Sequence, residues 1–355
     1  MTPTPVRLAL RRSLRDIRYV RAVPPRRATG TVGAVYTQLE RDFGLLAPPV
    51  ALHSPAPAVL AASWLMLRES LVASGVTSRA DKEVVASAVS RANTCPYCVE
   101  VHGMALAALG RPGDAGAISG GRFAGIEDPA TRELASWARD GTAMTTEEAA
   151  IPELVAVAVV FHYLNRMVNV FLGPSPLPAA VPGSARATVR GVLGRFLMPP
   201  GTATPGESLT LLPAAPVPGD LAWARGSETV AGAFARACAA VDGAATGVVS
   251  PAVRELVLGE LACWDGRPPG LSRAWLEAAV TPLVAADRPV ARLALLTAFS
   301  SSQVDSALVA EFRRRRPDDR GLVELTGWAS LAAARTFGAK LAAAAHSGAA
   351  GDPAR

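Results

Sequence analysis

Apolar positions recur along this chain at three- and four-residue spacing, and strict alternation never persists long enough to predict a strand. The pattern predicts helices over about 57–73, 79–92, 95–109, 129–139, 147–171 and 185–197. Turn-rich text separates them: Val23-Pro24-Pro25-Arg26-Arg27, Ala47-Pro48-Pro49, His53-Ser54-Pro55 and the run Gly173 to Pro178. Ser54 is a candidate cap for the helix that follows it. Pro199 to Asp220 is the longest irregular stretch, rich in Pro and Gly, and reads as a linker. Before the first Pro cluster, Val6, Leu10, Leu14 and Ile17 form one stripe and Arg7, Arg11, Arg15 and Arg18 a neighbouring one. This predicts a basic amphipathic helix over Val6 to Val20, docked by its apolar face with its arginines solvated.

Composition narrows the class. Of 355 residues, 50% are hydrophobic and only 5% aromatic, with Ala dominating the apolar set, so the expectation is all-α. The formal net charge of +6 comes almost wholly from Arg, since Lys82 and Lys340 are the only lysines. The bias is read as genomic, with no nucleic-acid partner implied. Four cysteines exclude a secreted disulfide scaffold. The N-terminus lacks the apolar core of a signal peptide, and the run Leu154 to Val160 is too short for a membrane span. A cytoplasmic protein without membrane insertion is expected.

Chemistry concentrates between Glu83 and His102. Cys98 and His102 lie four apart and share one face of a helix; Cys95, at that helix's start, looks toward the same side. The positive end of the helix favours a thiolate there. Glu83, on the preceding helix, can fold back onto the pair. A zinc site from Cys95, Cys98, His102 and Glu83 is a weaker reading, because no second Cys or His pair of suitable spacing follows. No Gly-rich phosphate loop follows a strand, so no cofactor is implied.

Glu-x11-Cys-x2-Cys-x3-His, met by Glu83, Cys95, Cys98 and His102, resembles the AhpD-like alkylhydroperoxidases of the carboxymuconolactone decarboxylase family. Asp81-Lys82-Glu83 and Cys95-Pro96-Tyr97-Cys98 add to the likeness, as does the helical context from about Ala56 to Leu172. The resemblance implies that peroxide oxidises Cys98, that Cys95 is its proton donor and disulfide partner, and that Glu83 and His102 complete a proton relay. It also implies a dithiol reductant such as a lipoylated protein. Some family members carry a second His between the cysteines, where this chain has Tyr97. A thiol-redox sensor or interaction protein, and a decarboxylase or lyase on the same fold, are the alternative functions.

Past the linker the text echoes itself. Ser250-Pro251-Ala252-Val253-Arg254-Glu255 resembles Ser78-Arg79-Ala80-Asp81-Lys82-Glu83, and carried forward it sets Arg267, Gly270 and Ala274 opposite Cys95, Cys98 and His102. Leu295 to Phe299 followed by Gln303 similarly echoes Val157 to Phe161 followed by Asn165. The expectation is a basic arm and lead-in (1–45), an AhpD-like domain (46–198), a linker (199–220) and a degenerate repeat (221–340). Joined to the family habit of trimers and hexamers, this predicts a homo-oligomer. Cys238 and Cys263 are read as buried small hydrophobes. His162 and Asn165 are candidate pocket residues beside Tyr97, with a hydrogen-bonded helix contact the preferred role for His162. His53 is expected to cap a helix or approach the site, and His346 to sit in an inert, flexible tail.

Overall fold

The computed structural model describes residues 11, 13–177, 181–198 and 202–349, with backbone alone for 347–349. Its described residues form an all-α fold with one isolated bridge, between Ala73 and Ala203. The N-terminal half holds α1 (Gly30–Asp42), α2 (Pro57–Leu67), α3 (Arg79–Ala92), α4 (Pro96–Ala108), α5 (Pro112–Ser119), α6 (Pro129–Asp140), α7 (Ile151–Phe171) and α8 (Gly183–Phe196). The C-terminal half holds α9 (Glu228–Ala245), α10 (Pro251–Ala262), α11 (Ala274–Val280), α12 (Arg288–Ser300), α13 (Ser306–Arg313) and α14 (Asp319–Ala349).

Local chemistry sets these boundaries. Ser78 opens α3 by accepting from the Asp81 amide, Asp128 opens α6 by accepting from Thr131, and Pro129 occupies the first turn. Gly141 ends α6 at φ 70°, a left-handed conformation that favours glycine. α1, a helix outside those predicted from the sequence, carries Val32, Val35, Tyr36 and Leu39 on its buried face.

Several expectations change. The helix predicted to reach residue 73 ends as α at Leu67 and widens into a π turn over Arg68–Val72, with the Ala73 amide bonded five residues back to the Arg68 carbonyl. Ser54 caps nothing; its hydroxyl accepts from the Val23 amide and ties the lead-in segment to the core. Residues 6–10 and 12 of the predicted N-terminal helix lie outside the described residues. Its described end is a 3-10 turn at Ser13–Asp16, followed by Tyr19 at φ 65°, so helix does not continue to Val20. Ile17 and Val20 are nevertheless buried, while Arg18 donates to the Asn169 and Val170 carbonyls. Cys263 is exposed because it falls just past the last turn of α10. His346 sits in the long helix α14, bonded to the Ala342 carbonyl, and not in an irregular tail.

α7 is the axis of the molecule. Nearly every residue from Ile151 to Phe171 is buried, so the helix is covered on all sides. By length and composition it resembles a membrane span, but 94% of its most apolar window is packed inside the protein. α3 covers one side of it and α14 runs along another, while α9 packs on α2. Both halves thereby contribute to one continuous hydrophobic cluster. The irregular stretch between them is tied down in its described part. Arg68, fully buried, donates to the Thr204 carbonyl and pairs with Asp42, Glu69 and Glu207, while Glu69 accepts from the Gly206 amide and the Ser208 hydroxyl.

α14 approaches α7 closely where Gly338 leaves room: an added Cβ would stand 3.0 Å from Val159 Cγ2 and 2.9 Å from Trp223 Nε1. Overfilling such a contact costs typically about 1–3 kcal/mol. Gly338→Val should therefore lower the urea midpoint of unfolding with little change in slope; an unchanged midpoint would show that the two helices are not held at this distance.

Candidate active site

Glu83, Cys95, Cys98 and His102 converge where α3 meets the start of α4. A tight turn connects the two helices, with Thr94 at φ 50° and the Cys95 amide bonded back to the Ser90 carbonyl. Cys95 is the N-cap residue of α4, Pro96 fills the first helical position, and Cys98 stands in the first turn. Both thiols are free and buried, and they are neighbours at the helix start.

Two effects on Cys98 oppose. The helix N-terminus favours a thiolate. Burial disfavours it and, with the neighbouring Cys95, pushes the Cys98 thiol well up, while a hydrogen bond with Asn165 pulls the other way. Burial wins, so Cys98 rests as a thiol.

Behind it stands an imidazole–carboxylate pair. His102 Nδ1 lies 2.7 Å from Glu83 Oε2, and the edge of Phe161 fixes the imidazole ring at a centroid distance of 4.4 Å. Glu83 is fully buried, and burial alone would raise its carboxyl. The opposing charges of His102 and Arg79 outweigh that effect and hold it below the usual carboxylate range. Arg79 was missed in the sequence, although it lies four residues before Glu83 and so on the same helix face. Glu83 thus faces nitrogen donors, not sulfur. No cluster of three or more His, Cys, Asp or Glu suited to a metal ion occurs among the described residues.

The two thiols meet different cavities. Cys95 lines an open groove of about 970 Å³ with Arg91, Glu100, Met104, Arg190 and Arg195. Cys98 and His102 line a small apolar cavity of about 70 Å³ with Tyr97, Phe43, Phe161 and Leu164. Met104 borders both. α8 roofs this region: Leu193 and Leu197 close the apolar cavity, and Arg190 pairs with Glu100 of α4 at 2.7 Å.

The remaining candidates take their places around this centre. Tyr97 is buried against the apolar cavity, and burial raises its phenol. Asn165 lines neither cavity; it supports the centre from behind, donating to Ser90 Oγ and accepting from Asn93. His162 also lies outside both cavities, 3.0 Å from Asn93 and stacked on Phe337 of α14 at 3.8 Å. Burial and the nearby Arg166 hold His162 well below the usual imidazole range. His53 lines neither cavity: it is fully buried, stacked on Tyr163 and lowered by burial to about 4. Cys238 lies apart in α9, pushed up to about 12 by burial.

An all-helical domain presenting a Cys-x-x-Cys at a helix N-terminus, backed by a Glu–His pair, defines a thiol-redox class of protein. The profile of the carboxymuconolactone decarboxylase family matches residues 58–140, from α2 to the end of α6. The alkyl hydroperoxide reductase Rv2159c of Mycobacterium tuberculosis (strain ATCC 25618 / H37Rv) is 34% identical over 337 residues, covering 94% of this chain and 97% of that protein. The chain belongs to the carboxymuconolactone decarboxylase family, and is an enzyme of it. Because the likeness to Rv2159c runs nearly end to end, it includes the C-terminal half that the family profile does not reach.

Alkylation should read this burial pattern directly. In native protein treated briefly with iodoacetamide near pH 8, Cys263 should react like a free thiol, and Cys98 and Cys238 at least about tenfold more slowly. Peptide mass mapping checks the order; prompt labelling of Cys98 would contradict a buried resting thiol.

Proposed function

We propose that the protein is a thiol-dependent peroxidase that reduces hydrogen peroxide or organic hydroperoxides through Cys95 and Cys98. The observation that carries this reading is the pairing of two adjacent thiols with a buried, ionised Glu83 bonded to His102. Its similarity to a protein named alkyl hydroperoxide reductase supports it. The apolar lining around Cys98 suits a small alkyl hydroperoxide.

The chemistry balances with these groups alone plus an external dithiol. His102, oriented by Glu83, takes the Cys98 proton. The thiolate attacks the distal peroxide oxygen; an S–O bond forms, the O–O bond breaks, and the departing alkoxide is protonated to the alcohol. Cys95 then attacks the sulfenic sulfur, closing the disulfide and releasing hydroxide that is protonated to water. A dithiol, such as that of a lipoylated protein, attacks the disulfide, supplies two electrons and two protons, and becomes a disulfide itself. The open groove brings such a carrier up to the wall that Cys95 lines, and a small movement there would expose the thiol.

The same reading extends to the rest of the chain. Residues 46–198 form the catalytic domain and 221–340 a degenerate counterpart, with 199–220 as the strap between them. Similar helix starts support this: Ser250 accepts from the Val253 amide as Ser78 does from Asp81, with Pro251 in the first turn. Glu255 is exposed where Glu83 is buried, so the counterpart has no enclosed acid. The protein acts in the cytoplasm as a homo-oligomer.

Cys98→Ser should abolish peroxide consumption, and Cys95→Ser should leave a sulfenic acid on Cys98 that dimedone traps. Glu83→Ala and His102→Ala should slow turnover by about a hundred- to ten-thousand-fold, since each half-reaction moves a proton. Steady-state assays with several hydroperoxides and a dihydrolipoyl donor, joined to mass spectrometry of the dimedone adducts, test both points. Label on Cys95 in Cys98→Ser, with none on Cys98 in Cys95→Ser, would reverse the roles; absence of repeated turnover in the unaltered protein would remove the peroxidase reading.

A further inference from the structure

Arg79 occupies a position that the thiol chemistry does not explain. It stands one turn before Glu83 on α3, and both its Nε and Nη2 reach Glu83 Oε1, at 2.9 and 2.8 Å. His102 takes the other carboxylate oxygen, Oε2, at 2.7 Å. The carboxylate is therefore held between two cationic-type donors, one on each oxygen. Arg79 also lines a separate open cavity of about 670 Å³ with Arg41, Asp42, Lys82, Met198 and Glu207. It closes the end of the relay that faces away from the thiols.

We propose that Arg79 is a positioning residue of the relay: it fixes Glu83 in place as a carboxylate, so that His102 keeps its Nδ1 proton toward Glu83 and offers Nε2 to the thiol centre. This rests on the relay reading of the proposed function. A neutral carboxylic acid at Glu83 could turn and donate a proton to Nδ1, and the imidazole would then present the wrong tautomer. Fork-like donation from a guanidinium prevents that rotation as well as neutralising the charge.

The other charged groups nearby are already engaged. Lys82, next to Glu83 on α3, points to Glu153 of α7 at 3.0 Å, and Glu153 also accepts from the Val76 and Thr77 amides. Asp81 is taken by Ser78 and by Arg111 from the segment preceding α5. From α4 only His102 bonds Glu83, and α7 presents the Phe161 ring to that imidazole. Arg79 and His102 are thus the groups whose charges govern Glu83, and no neighbour is free to replace Arg79.

The sign of the effect follows. Removing a positive charge beside the Glu83–His102 pair makes the pair hold its proton to higher pH. A base needed in its deprotonated form then becomes available later in the titration, so the acid limb of the peroxidase profile moves up. An Arg beside a buried carboxylate shifts its titration by about one to three units.

The test uses the full-length protein with a hydroperoxide and a dihydrolipoyl donor from about pH 5 to 9. Arg79→Gln should move the acid limb of kcat/KM upward by about one unit or more and approach the unaltered rate on the alkaline plateau; Arg79→Lys should reverse most of that shift. In a Glu83→Gln background, which leaves no buried charge to strand, Arg79→Gln should move nothing further. A purely structural role would lower the rate equally at every pH, and that result, or an unmoved limb, would overturn the proposal. An NMR titration of the His102 ring in the same variants needs no turnover. It should move upward with Arg79→Gln even if the unaltered protein consumes no peroxide, so failure of the peroxidase reading and failure of this one remain distinguishable; an unmoved ring titration would overturn the proposal by itself.

Discussion

The enclosure of α7 on every side is the constraint from which the rest follows. A helix so apolar has to be covered completely, and the first eight helices cover only part of it. α14 and the helices that pack on it supply the remainder. The polar residues of α7 are divided between those two surroundings. Asn165 faces the thiol side through Ser90 and Asn93, whereas Arg166 donates to the Ala298 carbonyl of α12 and lies over the rings of Trp264 and Phe337. Asn169 bridges both, donating to the Asn93 carbonyl and to Ser301. Burying these groups unpaired would cost several kcal/mol in all, so their hydrogen bonds also fix how the two halves meet.

Within that frame the site solves a second electrostatic problem. Glu83 is an ionised group with no contact with water, tolerable only because both of its oxygens are bonded to donors. The cost of that arrangement appears in rigidity: α3 must keep Arg79 and Glu83 in register, and Phe161 must hold the imidazole. The buried Lys82–Glu153 pair, one residue along α3, anchors the same helix to the start of α7. A Cys98 thiol whose ionisation is resisted by burial thus sits near a Glu83 carboxylate whose ionisation is secured by its neighbours.

Much of this could be read from the sequence. The spacing of Glu83, Cys95, Cys98 and His102 was sufficient to bring them together, because helical periodicity and one tight turn determine the geometry. Helix positions followed from apolar spacing and from punctuation by Pro and Gly. What stayed hidden depended on contacts remote along the chain. The stacking of His162 on Phe337 spans 175 residues of sequence, and the π turn after Leu67 answers to partners of Arg68 near residue 207. Arg79 was visible in principle at four residues before Glu83, but the charge run around Lys82 masked it. Cys263 was misplaced because a helix end, not composition, decides its exposure.

The division of the two thiols between an open groove and an apolar cavity has a consequence for traffic. What approaches Cys95 need not occupy the space beside Cys98. Among the described residues, only Met104 lies on the boundary of both compartments. A long, unbranched thioether can change rotamer without losing its packing. The two spaces, of about 970 and 70 Å³, can therefore differ in size without either dictating the other.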